Sequence, residues 1–170
     1  MRRMTRSAKL VAATGVAALA VAVPSGSAQA PGSTTLTFYE PDAGSTFKII
    51  DNAPKSPAKN PESKRYRFSL GDKLILSSPL FDRKGGTRLG TVYADATVVK
   101  GKTFASISIL ATGNYVLNDG SQIAVQGVFS LSKGSTVPVI GGTGRFEGAR
   151  GHVNATSDET SSTDIITLLP

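Results

Sequence analysis

The acids of this chain are its best candidates for chemistry. Glu40 and Asp42 flank Pro41 at the end of a β-prone run, Thr35-Leu36-Thr37-Phe38-Tyr39. Asp95 sits in the middle of another, Val92-Tyr93-Ala94-Asp95-Ala96-Thr97-Val98. An acid at mid-strand is costly to bury unless it is paired. Facing inward, Asp95 would be an acid or base with a shifted pKa. Facing outward, it would be merely solvated. Tyr93 shares its face by the two-residue period of a strand, and Arg145 or Arg150 could balance either carboxylate. The plain alternative for each is a surface salt bridge, worth about 0–1 kcal/mol.

Other chemistries lack their parts. There is no cysteine and a single histidine, His152. Thiol catalysis is therefore excluded, transition-metal ligation has no ligand set, and no metal is expected. His152 reads as a hydrogen-bonded strand residue. Asn118-Asp119-Gly120 is too short for a calcium loop. The serines come without a G-x-S-x-G elbow. Twelve acids could supply a glycosidase pair, but no spacing points to one.

The densest motif runs from Val139 to Gly151, with Gly141, Gly142, Gly144, Gly148 and Gly151 around Phe146, Arg145 and Arg150. A helix tolerates glycine poorly, each costing about 0.8–1 kcal/mol relative to alanine. A strand that turns sharply needs it, because glycine reaches positive φ without strain. A phosphate loop fails on spacing: Glu147 stands where the third glycine of G-x-G-x-x-G belongs. The segment is a tight β-corner, and it is expected to carry Arg150 toward a pocket whose acids come from the first and third strands.

These residues must be held by the elements around them. Residues 1–30 have a basic start (Arg2, Arg3, Arg6, Lys9), an apolar run from Leu10 to Val23 and the small residues Ala28-Gln29-Ala30. That is the layout of a cleaved secretory signal, with a retained anchor as the competing reading. The formal charge is +7, from 19 basic and 12 acidic residues. Removing the four basic residues of the signal leaves 15 against 12, or +3. The high pI therefore gives no ground for nucleic-acid binding. Residues 31–170 are expected to form a single secreted domain.

After the first strand comes a Pro-rich stretch from Asp51 to Ser63, in and just after which a basic cluster, Lys55, Lys59, Lys64, Arg65 and Arg67, reads as a solvated loop. Further strands are expected at Lys73–Ser77, Leu89–Val99, Thr103–Leu117, Gln122–Leu131, Val137–Ile140, His152–Thr156 and Thr163–Leu169. Asp119-Gly120 predicts a type I′ hairpin turn. Eight short strands at hairpin spacing predict an all-β sandwich or closed barrel.

The corner Gly141-Gly142-Thr143-Gly144-Arg145-Phe146-Glu147-Gly148-Ala149-Arg150-Gly151 resembles the shared signature of allene oxide cyclases and plant dirigent proteins. Tyr39-Glu40-Pro41-Asp42, Ser69-Leu70-Gly71-Asp72, Leu89-Gly90 and Val125-Gln126-Gly127 resemble other segments of these families, in the same order. The resemblance spans nearly all of residues 31–170. It implies a closed eight-stranded antiparallel barrel with a largely apolar pocket and no cofactor. It also implies a homo-oligomer, dimer or trimer. Cyclases close a fatty-acid epoxide; dirigents steer the coupling or cyclisation of reactive phenolic intermediates. By resemblance, Glu40 takes the place of the cyclase glutamate that stabilises a developing cation. Asp42 takes the place of the cyclase asparagine and the first-strand aspartate of dirigents. Arg150 lies in the A-R-G that dirigents also show. The cyclase pocket cysteine falls near Ala96, and Tyr93 and Asp95 stand where those families place other residues.

The expected protein is a secreted barrel that binds a small hydrophobic or phenolic molecule. It would guide a cyclisation or coupling with Glu40, Asp42, Tyr93, Asp95 and Arg150. The rival expectations are a non-catalytic ligand-binding or cell-surface interaction barrel and, third, a carbohydrate-binding sandwich.

Overall fold

The computed structural model describes residues 32–60, 63–130, 135–158 and 160–170. The signal segment expected at residues 1–30 lies outside them. The chain is all-β: β1 (Thr34–Pro41), β2 (Thr46–Ile50), β3 (Lys73–Phe81), β4 (Arg88–Lys100), β5 (Ser108–Leu117), β6 (Gln122–Ser130), β7 (Ser135–Thr143), β8 (Gly151–Ser157) and β9 (Ser161–Leu168). All neighbours pair antiparallel, in the order β1-β9-β8-β7-β6-β5-β4-β3-β2. β1 also meets β3, at Tyr39 opposite Phe81, which closes the ring.

The nine segments make an eight-stranded closed barrel because β1 and β2 are two parts of one wall. β1 pairs with β9 along Thr34–Pro41, and β2 pairs with β3 along Thr46–Ile50. The turn between them is held by Ser45 N–H donating to the Asp42 carbonyl at 3.1 Å, with Gly44 at φ +89°. β2 was absent from the sequence expectation, since Pro41 and Gly44 mark an end rather than a bend. Pro79 falls inside β3. It lies opposite this break in the wall, with Gly44 beside it, where a residue without an N–H is tolerated.

The core consists of two apolar clusters. One contains Phe38, Leu80, Val92, Ile123, Val137 and Ile166 and is closed by Phe146. The other contains Leu74, Val98, Ile107 and Ile109 and takes in Tyr66 and Phe68 from the Pro-rich loop. Tyr66 and Phe68 pack edge to face, with centroids 4.9 Å apart, and Phe104 meets Phe68 at 5.0 Å. The cations Lys55, Lys59, Lys64, Arg65 and Arg67 remain exposed, as a solvated loop requires. The loop is nevertheless pinned. Asp72 is fully buried; its Oδ1 accepts the Asn52 N–H at 2.8 Å and its Oδ2 the Ser69 N–H at 2.9 Å. Its carbonyl accepts Val98 N–H at 2.8 Å. This is the physical role of Ser69-Leu70-Gly71-Asp72.

The β5–β6 turn corrects the type I′ expectation. Only Gly120 has positive φ, at +84°, and no non-glycine residue among those described does. Gly120 N–H donates to the Leu117 carbonyl and Leu117 N–H to the Ser121 carbonyl, both at 2.9 Å. This is a three-residue loop in which a type I turn precedes a left-handed glycine.

The glycine corner turns β7 into β8 through a single 3-10 turn, Gly144–Phe146. Gly142 has no room for a side chain: a Cβ there would lie 2.4 Å from the Phe146 carbonyl oxygen. Gly144 and Gly148 have φ of +62° and +74°. The corner thereby drives the Phe146 ring into the end of the first cluster, while Arg145 stacks over that ring at 4.9 Å and pairs with Asp119 at 3.4 Å.

Candidate functional site

Strand parity decides what reaches the interior. On β1, Phe38 and Glu40 are buried between the more exposed Thr37 and the half-buried Tyr39 and Pro41. On β9, Asp164 shares its face with Ile166, and on β5, Tyr115 shares its face with Ala111 and Leu117. Glu40, Asp164 and Tyr115 retain 8%, 6% and 4% of their surface exposure. Phe38 lies opposite Asp164 across β1 and β9, so Glu40 is its diagonal neighbour on the same face.

These side chains form one polar group inside the first apolar cluster. The Tyr115 hydroxyl donates to Asp164 Oδ2 at 2.5 Å, and Glu40 lies close enough to Asp164 and Ser78 for both to act on its carboxyl. The Ser45 hydroxyl lies 2.8 Å from both the Ser78 hydroxyl and the Pro41 carbonyl oxygen. The Tyr115 ring stacks on Phe38 with centroids 5.6 Å apart and planes at 22°.

Burial, and next the charge of Asp164, hold the Glu40 carboxyl well above the usual carboxylate range, and Ser78 opposes. Two carboxylates in contact away from water cannot both be ionised cheaply. Glu40 therefore holds its proton to higher pH than an ordinary carboxyl does. Tyr115 is likewise held well above its ordinary value, by burial first and then by Asp164, so its hydroxyl stays a donor. The group offers an acid that holds its proton tightly, a second carboxyl with the Tyr115 hydroxyl on it, and a phenol.

Asp42 lies at the rim, where its N–H donates to the Thr160 carbonyl at 2.9 Å. Burial and the nearby Asp158 charge raise its pKa. Asp158 is lowered, its carboxylate accepting first from the Thr160 N–H, then from the Ser161 hydroxyl and N–H.

The other three expected residues are elsewhere. Tyr93 is 53% exposed and Asp95 is exposed, because Val92, Ala94 and Ala96 take the inward positions of β4. The inward condition for Asp95 is not met. Arg150 lies at the opposite end of β9 from Asp42. Its Nε and Nη2 donate to the Pro170 carbonyl at 3.1 and 2.6 Å. Pro170 is six residues beyond Asp164, or about 20 Å of strand. The corner does not bring Arg150 to the acids; what it delivers inward is Phe146.

Asp164 and Tyr115 were not among the expected site residues, yet their signal is in the sequence. Asp164 has the parity of Ile166 and Leu168, an apolar face, whereas Asp95 has the parity of Tyr93 and Thr97. Among the described residues no group of three or more His, Cys, Asp or Glu is arranged to hold a metal ion.

Three solved structures share this barrel. The pterocarpan synthase dirigent protein GePTS1 superposes with a TM-score of 0.59 at 18% identity, covering 80% of this chain and 82% of its own. A pyocyanin demethylase gives 0.58 at 14% identity, covering 81% and 99%. AbnU, an exo-specific intermolecular Diels-Alderase, gives 0.54 at 13% identity, covering 80% and 97%. No curated protein sequence matches the chain. The sequence pattern of dirigent-like proteins matches residues 33–169, the whole barrel from β1 to β9, and the chain belongs to that family.

Proposed function

We propose that this barrel takes a small hydrophobic or phenolic molecule into its interior beside Glu40, Asp164 and Tyr115 and guides its cyclisation or coupling. The observation that carries this is the Tyr115–Asp164 hydrogen bond with the buried Glu40 beside it, within apolar walls. Apolar lining with a few convergent polar groups and shifted pKa values is the usual make-up of a small-molecule site. The inward positions next to the group are small: Ala155 opposite Asp164, and Ala94 opposite Gly113 one step along from Val92 and Tyr115. Protonated Glu40 can donate to a phenol or carbonyl oxygen. The Asp164 carboxylate, in no ion pair with a cation among the described residues, favours positive charge developing on a bound substrate. Fixing one conformer of a reactive molecule supplies the rest by proximity and orientation. Asp42 and Asp158 make the rim acidic. The segment 1–30 is read as the export signal that sends the barrel out of the cell.

The test uses coniferyl alcohol oxidised to its phenoxyl radical by a one-electron oxidant, with chiral chromatography of the dimers. An enantiomeric excess that is lost in Glu40→Gln and Asp164→Asn supports the proposal. Racemic dimers together with saturable binding of the alcohol would make the protein a carrier. Neither excess nor binding would remove the phenolic reading.

A further inference from the structure

The outer wall carries a second constellation, unrelated to the interior group. Two cross-strand rows stand side by side on β3, β4 and β5: Ser77–Tyr93–Asn114 and Ile75–Asp95–Thr112. Their side chains point away from the barrel and line an open depression of about 390 Å³. That volume lies at the low end of the range for small-ligand sites, about 300–1,000 Å³.

We propose that this depression binds a neutral saccharide. Tyr93 is 53% exposed and lines the depression, where an aromatic ring can take the apolar C–H face of a pyranose. Asn114 lies directly across from it and can both donate and accept. Asp95, two residues along the same face, offers a carboxylate that can accept from two adjacent hydroxyls, and among the described residues it takes part in no ion pair. Ser77 and Thr112 add hydroxyls at the edges, and Ile75 covers an apolar flank, itself 44% exposed. All six stand on paired strands, which hold their spacing without a ligand.

The same composition argues against a second copy of the chain as occupant. The centre of a protein–protein interface is depleted of charge, and covering Asp95 with protein would bury an unpaired carboxylate. A sugar presents hydroxyl donors to it instead.

The test is an amide NMR titration of the protein with millimolar maltopentaose, cellopentaose and chitopentaose. The expected result is a saturable shift of Tyr93, Asp95, Thr112 and Asn114 with at least one of them. Tyr93→Ala and Asp95→Asn should each weaken that binding tenfold or more. Thr112→Arg, which fills the depression from a surface position, should abolish it. Tyr93→Ala should leave the interior coupling assay unchanged, so the two sites fail separately. The proposal is overturned if none of the three sugars gives a saturable shift, or if the shifts map elsewhere. It is equally overturned if sedimentation shows an oligomer that Tyr93→Ala dissociates.

Discussion

Tyr115→Phe isolates one contact of the buried group. The substitution removes a hydroxyl and leaves the ring stacked on Phe38. Asp164 then loses the Tyr115 donor while remaining buried at 6% exposure. A hydrogen bond to a charged partner is worth about 1.5–3 kcal/mol net, and the loss should fall in that range. For a domain of this size that lowers Tm by roughly 5–12 °C. Urea unfolding at neutral pH measures it, with an unchanged m-value showing that the folded and unfolded states expose the same surface as before. A double-mutant cycle with Asp164→Asn sharpens the result. If the two groups act through the 2.5 Å contact, the two losses should be less than additive by about 1–3 kcal/mol. A loss under about 0.5 kcal/mol, or strict additivity, would show that the contact does not bind the group together.

Glu40→Gln should flatten the pH dependence of stability. With its folded pKa raised, Glu40 stabilises the fold fully below the ordinary carboxylate range, and that contribution is lost as pH rises through the folded value. Across the window one proton corresponds to a fall of about 1.4 kcal/mol per pH unit; the variant should lack that slope and keep the smaller one of the same sign from Asp42. Thermal melts across the acid-to-neutral range read it, and an unchanged slope would place the proton elsewhere. Phe146→Ala should cost about 3–5 kcal/mol by opening a cavity at the end of the barrel, whereas Arg150→Ala should stay within about 1 kcal/mol; equal losses in urea unfolding would contradict the plug. Asp72→Ala removes the acceptor for two amides and should make residues 51–72 the first site of limited proteolysis, and cleavage elsewhere would count against the pin.

The strands were legible because alternation is strong where one face is packed. Gln122–Ser130 shows it: Ile123, Val125 and Phe129 go to the core while Gln126 and Val128 face out. β2 was hidden because Thr46–Ile50 pairs with a strand twenty-seven residues on, and its bend is made by Pro41 and Gly44, which read as a stop. Glu40 could be found from its place at the end of β1. Its partners could not be found by proximity in sequence, since Asp164 comes from the last strand and Tyr115 from the middle one, joined only when the ring closes. Asp95 misled because a mid-strand acid is informative only with its parity. The parity of Tyr93 and Thr97 puts it outside, where it serves a different surface.

The carboxyl carbon of Glu40, followed by ¹³C NMR in selectively labelled protein with and without coniferyl alcohol, tests the central claim most directly. A buried pair that holds a proton and meets the ligand predicts a carboxyl that titrates well above the ordinary carboxylate range and whose shift moves when the phenol is added. A carboxylate shift that titrates at the ordinary value and ignores the phenol would contradict it.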